Sequence, residues 1–135
     1  EAIALCAGSP ETAGWKEEAV RALERGYTAV LTTSLSGVVP HLFREVAPNL
    51  GALAAEVAAR GEQSTILVSG GLTALYTCTA LGIPSLEVLG EIEPGVVNSR
   101  GTDADGVVRT VAGKAGGFGT PDALARLLGN RCAER

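Results

Sequence analysis

This sequence of 135 residues has no methionine and a single histidine, and aromatic residues make up only 4% of it. No apolar stretch approaches the roughly 20 residues that a membrane-spanning helix needs, and the first residues lack the basic region of a signal peptide. Basic residues are also few, because 11 Lys and Arg stand against 15 Asp and Glu, for a net charge of −4. We therefore expect neither a membrane nor a nucleic acid as a partner, since binding to nucleic acid depends on basic residues that displace counterions.

The three cysteines are widely spaced and include no Cys-x-x-Cys pair. This spacing supports neither a disulfide framework nor a zinc site, so we expect a cytoplasmic protein in which Cys6 and Cys78 are small core residues. His41 follows Pro40, and we interpret it as a structural or a surface residue. Glu91 and Glu93 point to one side of a strand end, and we interpret them as a solvated edge. No metal site is predicted within the chain.

Small and apolar residues dominate what is present, with 18 glycines and 46% hydrophobic residues. A chain of this length and apolar content supports one domain that buries about two-thirds of its unfolded surface. Short apolar runs predict strands over residues 2–7, 28–33, 65–68, 86–89 and 107–112. Amphipathic runs predict helices over residues 10–25, 48–60, 72–81 and 120–128. This alternation predicts a three-layer α/β domain whose sheet is mostly parallel, with helices on both faces.

Three loops share one design, in which an apolar strand is followed by glycine or serine and then by a helix start. They lie around Ser9, at residues 69–71 and at residues 114–119. The carboxyl ends of parallel strands lie along one edge of a sheet, where ligands bind. Glycine amides at helix N-termini suit a phosphate, and Lys114 adds a full positive charge. Each loop alone could be a simple turn, but the three together predict a phosphate or nucleotide site.

Two familiar phosphate-binding signatures are missing. A Walker loop needs four residues between its first Gly and Gly-Lys-Ser/Thr. Here six residues separate Gly106 from Gly113, and Ala115 follows Lys114. No Gly-x-Gly-x-x-Gly follows a predicted strand, so a dinucleotide fingerprint is not supported either. A nucleotide site in this chain must use another arrangement.

Four short motifs carry a resemblance to a known family. They are Ser9-Pro10-x-Thr12, Ser69-Gly70-Gly71-x-Thr73-Ala74, Gly90-Glu91-Ile92-x-Pro94-Gly95-Val96 and Lys114-x-Gly116-Gly117-Phe118-Gly119. Their types and order resemble the C-terminal nucleotide-binding domain of the four-carbon acid sugar kinase family. The resemblance covers nearly the whole chain, although residues 34–64 contribute little to it.

The resemblance implies a kinase of carbohydrate metabolism that uses ATP, with Mg²⁺, to phosphorylate a small sugar acid such as a threonate, an erythronate or an oxo-tetronate. It implies that the residues around the nucleotide are Ser9, Ser69, Gly70, Gly71, Thr73, Lys114, Gly116, Gly117 and Gly119. Family members hold the sugar acid in an N-terminal domain with an Asp-rich motif, which has no counterpart here. We therefore expect residues 1–135 to be a single nucleotide-binding domain, a C-terminal fragment of a longer kinase-like chain and inactive alone. A homodimer is also compatible with the resemblance.

Two departures from the family pattern leave an alternative open. Leu72 stands where the family has an acidic residue, and Cys6-Ala7 stand where it usually has Gly-Ser. A carboxylate could help to hold a metal or orient a phosphate, whereas leucine can do neither. The alternative is a degenerate, non-catalytic module that binds a nucleotide or a phosphorylated metabolite.

Two further points stay open at this stage. An unrelated α/β enzyme that acts on a phosphorylated small molecule ranks last, because the sequence offers no paired His, Cys or Ser constellation. No catalytic residue is assigned. Phe118 either borders an adenine or anchors its own loop.

Overall fold

The computed structural model describes residues 10–32, 43–60, 65–120 and 122–132. The elements in chain order are α1 (Pro10–Glu24), α2 (Phe43–Arg60), β1 (Thr65–Ser69), α3 (Gly71–Ala80), β2 (Glu87–Glu93), β3 (Val96–Thr102), β4 (Val108–Lys114) and α4 (Ala123–Cys132). Helices and a sheet in one chain confirm the predicted α/β class. The strand predicted over residues 2–7 lies outside the described residues.

The four described strands form one mixed sheet in the order β1-β4-β3-β2. β1 pairs with β4 in parallel, whereas β4 with β3 and β3 with β2 are antiparallel pairs. The expectation of a mostly parallel sheet is therefore wrong for the described strands. The three-layer arrangement with helices on both faces stays a prediction.

The sheet is mixed because β3 lies between the strands predicted over residues 86–89 and 107–112, in a segment where no strand was predicted. β2 and β3 are joined by Pro94 and Gly95, and Gly95 has a φ of +82°. Proline followed by a glycine with positive φ is typical of a tight turn, which sends the chain back beside the strand it has just left. Glu93 accordingly lies opposite Val96. Asn, Ser, Arg and Gly within β3 are poor strand signals, and they concealed it.

Two apolar clusters hold the elements together. One joins α1 to α2 through Ala19, Val20, Leu53 and Val57. The other joins α2 and α3 to β1 and β4, and its buried members are Ala55, Val68, Leu81, Ile83 and Val111. The helices α2 and α3 thus cover the part of the sheet that contains the parallel pair.

Cys78 packs against the second cluster, as predicted for a small core residue. Its thiol is free, and burial raises the pKa of that thiol. Cys6 lies outside the described residues, and so does His41.

Glycine ends two of the helices as predicted. At the end of α1, Gly26 has a φ of +79°, and Tyr27 N–H donates to the Ala22 carbonyl at 2.9 Å while Gly26 N–H donates to Leu23 at 2.9 Å. This pair of bonds is the Schellman arrangement, in which a left-handed residue lets the last carbonyls find donors. Gly82 ends α3 with the same two bonds and a φ of +68°.

Two predicted helix boundaries and one predicted strand are wrong. The helix expected to open at Pro48 or Asn49 begins at Phe43, with Pro48 inside it, and α4 continues past Gly129 to Cys132. The strand predicted over residues 28–33 is not formed at 28–32, the part of it that the structure describes. There the side chains alternate as in a strand, because Ala29 and Leu31 pack against the α1–α2 cluster. No described strand pairs with this segment, so its pattern reflects packing alone.

The described helices include none that combines the length and the apolar character needed to cross a membrane.

Candidate functional site

The candidate site lies at the carboxyl ends of β1 and β4. Because these strands are parallel neighbours, Ser69 at the end of β1 lies opposite Lys114 at the end of β4. Gly70 N–H donates to the Lys114 carbonyl at 2.9 Å, which fixes the turn after β1 beside the loop after β4. The structure therefore brings together two of the three loops that were predicted to share an edge. The third, around Ser9, lies outside the described residues.

Gly70 forms the turn that starts α3. Its φ of +97° is one that residues with a Cβ rarely adopt, so the turn requires glycine. No described side chain caps this end of α3, and its first turn contains no acidic residue. Backbone amides at a helix N-terminus carry the positive end of the helix dipole and commonly bind phosphate. The start of α3 can therefore receive an anion.

Lys114 is a buried cation without a carboxylate partner in the described part of the chain. It is only 9% exposed, and its Nζ donates to the Ala115 carbonyl at 3.1 Å and to the Gly116 carbonyl at 3.5 Å. None of the ion pairs found among the described residues includes it. Buried lysines are usually paired with an acid, and an ammonium has three donors. An anion beside this loop would supply the missing countercharge.

The segment 115–119, which we call the glycine loop, lies against both the first turn of α3 and the start of α4. A Cβ placed on Gly116 would lie 3.8 Å from the Gly70 Cα, so the two predicted loops approach each other there. A Cβ on Gly119 would lie 3.4 Å from the Lys114 Cε and 3.3 Å from the Ala123 Cβ. Glycine at position 119 thus lets the lysine stem lie against the start of α4.

The β2–β3 turn supports the base of the glycine loop. Gly95 N–H donates to Glu91 Oε1 at 2.9 Å, and the Gly95 carbonyl accepts from Ala115 N–H at 3.0 Å. A Cβ on Gly95 would lie only 2.9 Å from the Phe118 Cβ. Phe118 therefore packs its Cβ on this turn, while the residue as a whole is 67% exposed. The motif around Gly90-Glu91-Ile92 has a structural part in the site, and Glu91 caps the turn.

The remaining predicted residues lie on the same edge. Ser69 is exposed at the end of β1, and Thr73 is half-buried in the first turn of α3. Gly71 and Gly117 have open space where a Cβ would stand. Leu72, in the position where the resemblance implies an acid, is 64% exposed. No cluster of three or more His, Cys, Asp or Glu suited to a metal ion is found in the part of the chain that the structure describes.

Arg126 belongs to this edge and was missed from the sequence. It lies in α4, where its guanidinium contacts the Thr120 hydroxyl at 2.9 Å and the Asp122 carboxylate. The same guanidinium reaches Glu93, at the end of β2, at 3.2 Å. The Thr120 hydroxyl and Arg126 together lower the pKa of Asp122 to about 2. The i,i+4 spacing of Asp122 and Arg126 was the available signal, whereas the contact with Glu93 spans 33 residues.

Comparison with known proteins decides the family. Residues 4–124 match the family described as the nucleotide-binding C-terminal domain. Over 80 residues the chain is 41% identical to the D-threonate kinase of Cupriavidus necator, a stretch that covers 57% of this chain and 19% of that protein. The chain is a C-terminal domain of the four-carbon acid sugar kinase family. This membership removes the unrelated α/β enzyme from the alternatives.

Solved structures agree with this assignment. A domain of unknown function from Bordetella bronchiseptica, crystallised as a domain-swapped dimer with bound citrate, is 26% identical, with a TM-score of 0.71 over 93% of this chain and 30% of that one. A second crystal form of it gives 30% identity and a TM-score of 0.66 over 93% of this chain and 32% of that one. The chain thus spans about a third or less of the relatives that it matches.

Proposed function

We propose that this domain binds ATP with the phosphates at the edge formed by the start of α3 and the glycine loop. The observation that carries the proposal is Lys114, a buried ammonium that contacts two backbone carbonyls and no described carboxylate. It stands where two glycine turns and a helix N-terminus meet. A polyphosphate supplies the negative charge that this arrangement lacks.

Each part of the edge has a separate task in the proposal. Gly70, whose amide is bonded to the Lys114 carbonyl, shapes the turn, and the Gly71 amide donates to one phosphate. The amides of Gly116 and Gly117 donate to another phosphate. The Ser69 and Thr73 hydroxyls add neutral donors, and Gly119 leaves room for the Lys114 stem. Such fixed donors and charges are what phosphoryl transfer requires, since it depends on positioning and charge neutralisation. Ser9 is proposed to join this set.

Mg²⁺ is proposed to arrive on the nucleotide. The described residues hold no cluster of carboxylates, histidines or cysteines for a resident ion. Magnesium in nucleotide sites commonly keeps waters and binds through substrate phosphates with few protein ligands. When bound, it neutralises phosphate charge, and the chain's own contribution is the lysine and the amides.

Calorimetric titration with ATP and ADP, each with and without Mg²⁺, tests the nucleotide proposal. We expect saturable binding that Gly116→Val abolishes, because the new side chain would enter the space between Gly116 and Gly70. Gly14→Val is the matched control, since Gly14 is exposed in α1 and a Cβ there meets nothing within 4 Å. Absence of binding at millimolar nucleotide, or equal loss in both variants, would contradict the proposal.

The substrate of the whole enzyme is proposed to be a small sugar acid of the threonate, erythronate or oxo-tetronate type. Similarity to a D-threonate kinase supports this, over a stretch that is 19% of that kinase. The acceptor would be held by an N-terminal domain that lies outside the present chain, so the isolated domain would not transfer phosphate. Assay of ATP consumption with each acid, for the domain alone and for a longer protein that contains it, tests this. Turnover by the domain alone would refute the division of labour.

A second candidate, a non-catalytic nucleotide-binding or phospho-metabolite-binding module, is favoured by Leu72. The side chain is 64% exposed in the first turn of α3, beside the proposed phosphates. Leu72→Asp distinguishes the candidates in a longer protein that contains this domain. A large gain in phosphoryl transfer would indicate a decayed kinase. Substantial transfer by the unmodified protein would remove this candidate.

Assembly and location complete the proposal. The Bordetella neighbours are described as domain-swapped dimers, and we propose that this domain also dimerises. Sedimentation equilibrium across a concentration series tests this, and a monomer throughout would contradict it. We propose a cytoplasmic location, which fits an ATP-dependent kinase.

A further inference from the structure

We infer that Arg126 is a positioning residue for the proposed nucleotide site, because it joins the end of β2 to the start of α4 and so holds the glycine loop from both ends. The inference rests on the proposed nucleotide site but concerns a residue outside it. The hydrogen bonds and ion pairs of Arg126 among the described residues go to none of the predicted phosphate-binding residues. It acts through Glu93, Thr120 and Asp122.

The guanidinium of Arg126 serves several acceptors at once. One terminal nitrogen donates to the Thr120 hydroxyl at 2.9 Å and to the Asp122 carboxylate. The other donates to the two oxygens of Glu93 at 3.2 and 3.4 Å. Arginine suits such a junction because its planar fork fixes the direction of each donor. Lysine in its place would keep the charge without the fixed directions.

Both ends of the glycine loop are connected to this junction. On one side Glu93 immediately precedes the β2–β3 turn, whose Gly95 carbonyl accepts the Ala115 amide at 3.0 Å. On the other side Thr120 directly follows Gly119, which lies against Lys114 and Ala123. Movement of α4 away from β2 would therefore open the loop that contains the proposed phosphate donors.

Arg100, on the β2–β3 hairpin, forms an exposed ion pair that serves for comparison. Arg100 contacts Glu87 at 2.7 Å, and the two residues lie opposite each other on β3 and β2. That pair joins strands that the backbone ladder already holds together, and its side chains are 52% and 65% exposed. The pair of Arg126 and Glu93 instead joins a strand to a helix, and Glu93 is 23% exposed. Loss of Arg126 should therefore change loop geometry, whereas loss of Arg100 should not.

The test combines amide hydrogen exchange in the nucleotide-free domain with calorimetric titration of ATP. For Arg126→Ala we expect faster exchange at Ala115 and Phe118, and a rise in the Kd for ATP of about fivefold, the scale of one well-formed exposed pair. Glu93→Gln removes the other side of the contact and should give the same two changes. Arg126→Lys should restore part of the affinity. Arg100→Ala, the matched control, should leave both readouts as in the unmodified domain.

The outcomes separate this inference from the proposed function. If Arg126→Ala exchanges and binds like Arg100→Ala, the positioning role is refuted while nucleotide binding stands. If the unmodified domain binds no nucleotide, the proposed function fails, and the exchange at Ala115 and Phe118 still decides whether Arg126 orders the loop. Equal acceleration of exchange throughout the sheet would indicate general destabilisation and would also refute the positioning role.

Discussion

The two ends of β4 each bury a cation and treat it in opposite ways. At the first end, Arg109 is 3% exposed and donates from Nε to Asp103 Oδ2 at 2.8 Å. A second donor of the same guanidinium reaches the Ala58 carbonyl in α2 at 3.3 Å. At the other end, Lys114 is 9% exposed and contacts backbone carbonyls alone among the described groups. Arg109 has an acidic partner within the fold, whereas Lys114 has none among the described residues.

The difference lies in how many groups of the fold surround each buried cation. Asp103 also accepts the amides of Asp105 at 3.0 Å and Val107 at 2.8 Å, so it organises its own turn as well as Arg109. Burial pushes the pKa of Asp103 upward, but the Val107 amide and Arg109 outweigh it, and the pKa lies below its usual value. No comparable set of partners surrounds Lys114 in the described residues. Burial of a charge alone therefore does not indicate a ligand site. The proposed phosphate site rests on a buried charge that lies beside glycine loops and has no described acid partner.

The largest expected effect follows from breaking the pair at the first end. Asp103→Asn removes the acid of the buried Asp103–Arg109 ion pair, and loss of one side of a buried pair is strongly destabilising. We expect the midpoint of thermal unfolding to fall by about 10 °C. Differential scanning calorimetry measures it. The control is Asp105→Asn, whose exposed side chain lies in the same turn. Equal and small effects of both variants would show that the pair does not stabilise the domain.

The next largest effect is expected at Lys114, at the carboxyl end of β4. Lys114→Met keeps a long stem and removes the charge, so we expect the Kd for ATP to rise about tenfold or more. Stability should change little, because the exposed Ala115 and Gly116 can give their carbonyls to water. Calorimetric titration and thermal unfolding together measure both quantities. We expect Lys114→Met to change the affinity for ATP and Asp103→Asn to change the unfolding temperature. A large loss of stability with unchanged affinity would make Lys114 a structural cation like Arg109.

The proximity of the turn at residues 69–71 to the glycine loop could be predicted from the sequence, because it depends on only one feature of the fold. It requires only that the strands ending at Ser69 and Lys114 be parallel neighbours, and they are. The antiparallel pairing of the other described strands, which the prediction had wrong, does not affect this result. The alternation of short apolar and amphipathic runs sufficed to predict the α/β class, because this alternation remains visible even where individual boundaries are wrong.

What could not be predicted depends on contacts between distant residues. Glu93 and Arg126 lie 33 positions apart, and each alone has the appearance of a solvated charge. β3 is stabilised by pairing on both sides, which its polar residues do not reveal. Pro48 was expected near a helix start because its ring and missing N–H disfavour helix interiors, yet α2 extends upstream of it. Tertiary packing overrides local preference in both segments.

A smaller effect is expected if Lys114, at the end of β4, is given a nearby carboxylate as Arg109 has at the start of β4. Gly117→Asp would place a carboxylate in the open loop near Lys114, where a Cβ meets nothing within 4 Å. We expect the added charge to compete with phosphate and raise the Kd for ATP about fivefold, while Gly117→Asn has a lesser effect. Titration at low and high salt checks that the effect is electrostatic, since screening by salt should reduce the difference in Kd between Gly117→Asp and Gly117→Asn. Equal affinities would place the phosphates elsewhere.

The smallest expected effect is a pH dependence at the site edge. The Thr120 hydroxyl and Arg126 lower the pKa of Asp122 from 3.8 to about 2, so the ionised carboxylate is favoured in the folded state. A depressed pKa contributes stability that is complete above about 3.8 and is lost as the pH falls towards about 2. Asp122→Asn should therefore lose less stability than the unmodified domain over that window, and should match its pH dependence above it. The difference is small because the side chain is exposed and solvent screens the pair.

Urea unfolding at pH steps through the window measures this difference in stability. Asp105→Asn, in the turn at the other end of the sheet, serves as the control. Parallel curves for Asp122→Asn and the unmodified domain would mean that the Arg126 junction gains nothing from the charge of Asp122, leaving Glu93 as the acid that matters.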